Sequence, residues 1–153
     1  PNDFHGTQVG VGTVHCLGLW EQVLALDADD IDVGALVERK MEDRVIRDII
    51  DEDWGTIAPE IHEQWNGKRK NSEEMRRALE FYKRIIPQLK DQLPIDLLPA
   101  KTVAQAIEQA SGPTQPEDLT VPLNEFTNAL TRARYIRNRF TILDLAHDLG
   151  ITE

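Results

Sequence analysis

Apolar residues recur along this chain at steps of three and four, and nowhere alternate for long enough to make a strand. The clearest run places Met75, Leu79, Tyr82, Ile86, Leu89 and Leu93 at steps of four and three, the spacing of one helix face. Asn71, with Glu74 three residues on, predicts a capping box at its start. Pro87 lies inside the run and predicts a kink or an ending near Ile86.

Residues 7–26 form a second apolar stretch carrying Val9, Val14, Leu17, Val23 and Leu24, with Glu21 nearly its only charge. It predicts a helix buried on most of its surface, at the centre of the domain. Gly10 and Gly12 each cost such a helix roughly 1 kcal/mol against Ala. A closely approaching backbone or ligand is therefore expected there, and close helix packing is the favoured reason. Residues 27–32 (DADDID) predict a turn and then a helix start capped by Asp30 or Asp32. A calcium loop fails here: Asp27, Asp29 and Glu38 fit its first, third and twelfth positions, but Ile31 and Asp32 stand at the fifth and sixth.

Residues 33–53 give one or two helices with Val45, Ile46, Ile49 and Ile50 on one face, broken by Trp54-Gly55-Thr56. A short helix over Pro59–Trp65 ends at Asn66-Gly67, and Lys68-Arg69-Lys70 reads as a solvated basic loop. A loop with Pro94 and Pro99 leads to a helix over Thr102–Ala110, with Thr102 and Gln105 as a second capping pair. Ser111–Glu117 is a turn-rich connector. Pro122 opens a helix carrying Phe126, Leu130, Ala133 and Ile136, and a last segment, Phe140–Leu149, stops at Gly150. The pattern predicts a single all-α domain over residues 1–153, a bundle of seven or eight helices.

The 153 residues suffice for one domain with its own core. Seventeen basic residues against 27 acidic ones give a net charge of −10. That balance argues against general affinity for nucleic acid or for anionic membranes. No apolar run reaches the roughly 20 residues that span a bilayer. A lone Cys16 excludes an internal disulfide and a cysteine zinc site, and suits a reducing, cytoplasmic setting. The opening Pro1-Asn2-Asp3 carries no initiator Met, as a cut product, a fragment or a chain trimmed of its Met would not.

Candidate chemistry is sparse. Gly6, Gly10 and Gly12 do not make a dinucleotide-binding fingerprint, and no strand precedes them. His5 and His15 lie ten residues apart, roughly 280° around a helix, so they do not share a face. His62 and His147 lie on other segments, without ligand-like neighbours. Taken alone, His5 reads more readily as a capping or hydrogen-bonded residue than as a ligand. Arg132, Arg134, Arg137 and Arg139 suit an anion such as phosphate, but the commoner outcome for such a run is a solvated face paired with acids. Cys16, inside the apolar helix, is expected to be inert.

Two stretches resemble a known family. HGTQVGVGT (His5–Thr13) is similar to the segment that carries the last metal-binding histidine of sn-glycerol-1-phosphate dehydrogenases. These belong with iron-containing alcohol dehydrogenases, glycerol dehydrogenases and dehydroquinate synthases. ARYIRNRFTILDLAHDLG (Ala133–Gly150) resembles that family's closing helices, and the connector at Gly112–Pro116 agrees in place. The likeness covers most of the chain, more loosely over Ala28–Asn71.

The resemblance implies the C-terminal helical domain of such an enzyme, with an N-terminal α/β nucleotide-binding domain as its partner and the active site between the two. It implies a divalent metal held by an Asp and two His, zinc being the usual ion, with only the second His matched here, at His5. The Asp, the other His and the NAD(P)-binding loops would precede Pro1. The implied reaction interconverts dihydroxyacetone phosphate and sn-glycerol 1-phosphate. In it a metal ion polarises the carbonyl and the nicotinamide carries the hydride. The isolated chain is then expected to be inactive and to hold no cofactor tightly. A glycerol dehydrogenase, a dehydroquinate synthase-like enzyme and a non-catalytic helical interaction module are the alternatives. Metal identity, the choice of NAD or NADP and homo-oligomerisation stay open.

Overall fold

Two separate apolar clusters organise the chain, and six of the eight α-helices among the described residues supply them. The computed structural model describes residues 5–151. In order the helices are α1 (His5–Ala25), α2 (Val33–Glu38), α3 (Asp43–Trp54), α4 (Ala58–Asn66), α5 (Ser72–Asp96), α6 (Ala100–Gln109), α7 (Leu123–Ala133) and α8 (Ile142–Asp148). Three short 3-10 turns join them, and no strand occurs among the described residues. The fold is an all-helical bundle, as the pattern predicts.

The first cluster unites α1, α2, α5 and α8 through Leu19, Val23, Val33, Leu79, Ile86 and Leu145, with Tyr82 at its edge. The second unites α3 and α4 through Ile46, Ile50, Ile61 and Trp65, closed by Tyr135. The Trp65 and Trp54 rings meet Tyr135 edge-on, at centroid distances of 5.3 and 6.4 Å. Edge-to-face pairs of this kind fix ring orientation as well as burying area.

Local signals account for most helix ends. The Asn71 side chain accepts from Glu74 N at 2.9 Å, and Asn71 N donates to Glu74 Oε2 at 2.8 Å, completing the box at the start of α5. Asp32 caps α2, accepting from Ala35 N at 3.0 Å. Gly55, at φ +48°, stops α3, and Gly150, at φ +71°, follows α8, both in the left-handed region that favours glycine.

Elsewhere packing overrides the local expectation. α5 continues through Pro87 and Pro94 to Asp96 instead of ending near Ile86. Leu89 and Leu93 remain half-buried on the same stripe, so the helix keeps an apolar face beyond the proline. The expected pair at Thr102 and Gln105 does not form: α6 begins at Ala100, whose N–H donates to Glu21 Oε1 of α1 at 2.8 Å. Along α1 only Val11, Leu19 and Val23 are buried, against the expectation of a helix enclosed on most sides. Its neighbours, α5, α6 and α8, cover one flank and leave Val9 half exposed. A methyl group at Gly10 would make ordinary contacts with Pro113 O at 3.5 Å and Ile107 at 3.7 Å, and at Gly6 or Gly12 it would have no neighbour within 4 Å. Close packing therefore requires a glycine at none of these three positions, against the expectation.

Candidate functional site

The basic segment Lys68-Arg69-Lys70 is not a solvated loop; it is the floor of a buried charge cluster. Lys68 Nζ donates to both carboxylate oxygens of Asp144, at 2.8 and 3.0 Å, and its side chain is only 8% exposed. Lys70 Nζ donates to Asp148 Oδ2 at 2.8 Å, and the Tyr82 hydroxyl donates to the same oxygen at 3.1 Å. Arg69 turns the other way, to Asp43, which also accepts from Arg47 and, at 2.9 Å, from the Trp65 indole N–H. Lys68 and Lys70 thus reach α8 while Arg69, between them, reaches α3.

Asp144 and Asp148 stand four residues apart on α8, hence on one stripe. Asp144 also accepts from the backbone N–H and hydroxyl of Thr141, at 2.9 and 3.1 Å, and so fixes the start of α8. Arg134 reaches the same carboxylate from the end of α7, its Nε 3.5 Å from Asp144 Oδ1. Its guanidinium lies over Tyr135 and Trp65, 5.5 and 5.7 Å from the ring centroids. The favoured solvated reading of the arginine run therefore fails at Arg134, which is 6% exposed. Arg132 pairs with Asp53, while Arg137 and Arg139 are exposed.

These groups line a cavity of about 40 Å³ between the two apolar clusters, with Leu36 and Met75 on one side and Ile46 and Trp65 on the other. Arg134 and His147 also line a second, mostly apolar cavity of about 200 Å³ reached by α1 through His15 and Leu19. Burial shifts the titration of several members. It pulls the Lys68 ammonium below its ordinary range, against the pull of Asp144 upward. The Tyr82 phenol is pushed up, first by burial and then by the Asp148 carboxylate. The His147 imidazole is drawn down to about 4 by burial, with the Arg134 charge adding to it and Asp148 and Asp144 opposing.

A pH dependence follows from His147. Above its unfolded value of 6.5 the ring is neutral in both states. As pH falls below 6.5 the unfolded chain takes up a proton that the folded chain refuses, so stability drops until about pH 4, where the folded ring is protonated too. The expected loss is at most about 3 kcal/mol, less as far as solvent reaches the ring. Urea unfolding from pH 7 to 4 should show a shallower decline in His147→Gln than in the native protein; equal slopes would remove His147 as the cause.

The predicted histidines are scattered. His5 opens α1 and is exposed. His15 faces the apolar cavity, where burial lowers its pKa. His62 Nε2 lies 2.8 Å from Asp51 Oδ1 and ties α4 to α3. Among the described residues, no group of three His, Cys, Asp or Glu side chains comes together to hold a metal. A catalytic divalent ion takes about three protein ligands, so the residues here do not fit one unaided. Cys16 is half-buried and its thiol is pushed up by burial, consistent with an unreactive side chain.

The cluster is foreshadowed in two spacings. Thr141 and Asp144 stand three apart at the head of a mostly apolar run, and Asp144 and Asp148 are the two acids within its ILDLAHDLG. Neither spacing names Lys68 or Lys70, 76 and 78 positions away, as the partners. The described chain is thus an all-helical bundle with a charged seam between two apolar clusters, and no described helix is long and apolar enough to cross a membrane. Set against known proteins, the chain matches no family model, no curated protein and no solved structure.

Proposed function

We propose that this chain is the helical, metal-side part of a cytoplasmic NAD(P)-linked oxidoreductase that interconverts dihydroxyacetone phosphate and sn-glycerol 1-phosphate. The observation that carries the reading is the His5-Gly6 pair at the start of α1, in a motif similar to that family's ligand segment and with its imidazole exposed. In this reading His5 gives one nitrogen to a divalent ion, zinc being the usual one. The ion's remaining ligands and the nicotinamide site come from an α/β nucleotide-binding domain outside this sequence. The chain on its own neither binds NAD(P) nor turns over.

The test uses the full-length gene product. Zinc content and NADH or NADPH oxidation by dihydroxyacetone phosphate are measured before and after His5→Ala. Losing even an outer partner of a metal ligand costs about 10- to 100-fold, so losing a ligand should cost at least about 100-fold in activity and empty the site. Unchanged metal occupancy in the variant would end the assignment. Activity on glycerol but not on its phosphate would move it to a glycerol dehydrogenase.

A further inference from the structure

We propose that the 40 Å³ cavity between the two apolar clusters binds the phosphoryl group of a small molecule. The inference stands apart from the oxidoreductase reading, because a phosphate site by itself implies no redox chemistry and its loss would leave His5 untouched.

Arg134 carries it. The side chain is only 6% exposed, and its Nε and Nη1 are buried without a hydrogen-bond partner. Asp144 Oδ1 lies 3.5 Å from Nε, within ion-pair reach, but forms no hydrogen bond to it. Tyr135 and Trp65 cover the face of the guanidinium, which balances part of its charge but leaves the N–H groups at its rim unanswered. Buried donors in folded proteins nearly always find an acceptor, so an unanswered pair marks a place for one.

The charge around the cavity points the same way. Lys40, Lys68, Lys70 and Arg134 face two carboxylates, leaving two positive charges in excess on the wall. The whole chain is at −10, so this excess is local rather than a general attraction for anions. Both carboxylates are already engaged, Asp148 by Lys70 and Tyr82. A dianion offers enough charge to answer that excess, and arginine suits phosphoryl oxygens in particular. The space admits about three waters, as a water needs roughly 10–15 Å³ by this measure, which is enough for the oxygens of one phosphoryl group but not for a nucleotide.

Isothermal titration of inorganic phosphate into the protein, at ionic strength held constant with sodium chloride, tests the proposal. A dissociation constant of about 1 mM or tighter is expected, with a rise in Tm in about 10 mM phosphate. Arg134→Gln should weaken binding roughly 10- to 100-fold. Lys40→Ala, on the half-exposed wall and outside the buried pairs, should fold normally and weaken it several-fold, so the test survives if the arginine variant does not fold. Tighter binding of sn-glycerol 1-phosphate than of phosphate assigns the cavity to the phosphoryl end of a metabolite, and equal binding assigns it to the free ion. No heat and no Tm rise beyond the chloride control, acetate binding as well as phosphate, or an unchanged affinity in Lys40→Ala would each overturn the proposal.

Discussion

Asp144→Ala should destabilise the protein by about 3–5 kcal/mol, the cost of leaving buried cations without their counter-charge. Lys68 and Arg134 both depend on this carboxylate, and their side chains are only 8% and 6% exposed. The same substitution removes the acceptor for Thr141 at the head of α8, so two separate losses fall on one helix. Urea unfolding reads the effect directly. A loss below about 1 kcal/mol, as at an exposed pair, would mean that water reaches the cluster freely. Replacing the pair together, Lys68→Met with Asp144→Leu, should recover much of the loss, because an apolar pair of similar size needs no desolvation of charge.

Leu79→Ala is expected to cost about 2–5 kcal/mol. Leu79 is fully enclosed in the first cluster on α5, where α1, α2 and α8 come together. Removing its branched end leaves a hole that stiff, helix-borne neighbours fill only in part. Leu89→Ala, further along the same stripe but half-buried, should cost clearly less. The comparison is made by chemical unfolding, with an unchanged dependence on denaturant confirming that the native state itself is altered rather than the unfolded chain. Equal losses at the two positions would show that the stripe beyond Pro87 packs as tightly as the stripe before it.

The helices are readable because each rests on signals close together in the chain. The four-three spacing from Met75 to Ile86 predicts the buried face of α5, and those four residues are buried. Asn71 and Glu74 predict its cap, and Asp30 or Asp32 that of α2, where Asp32 serves. The misreadings share a different character. Of the kink or ending that Pro87 predicts, the ending does not occur: α5 passes through it, with the apolar stripe resuming on its far side. Val45 reads as a core residue beside Ile46, yet it is 43% exposed, because α4 covers only the Ile46–Ile50 side of α3.

The charge cluster is hidden for a plainer reason. Lys68 and Lys70 read as solvated because basic runs usually are, and their partners lie 76 and 78 positions further on. A burial that depends on two acids at the far end of the chain leaves no mark beside the lysines. Arg134 is the sharper case: among four arginines in eight residues, the fold encloses this one, pairs Arg132 with Asp53 and leaves Arg137 and Arg139 exposed.

What the amino-acid order determined by itself is the helical class, the caps that start α2 and α5, and the glycines that stop α3 and follow α8. Each of these is settled within a few residues, by backbone hydrogen bonding and by the angular repeat of a helix. What only the tertiary structure decided is which charges leave water. A lysine's desolvation depends on what packs over it and on whether an acid arrives from elsewhere, so Lys68, Lys70 and Arg134 form a seam only where α8 meets the segment before α5 and the end of α7.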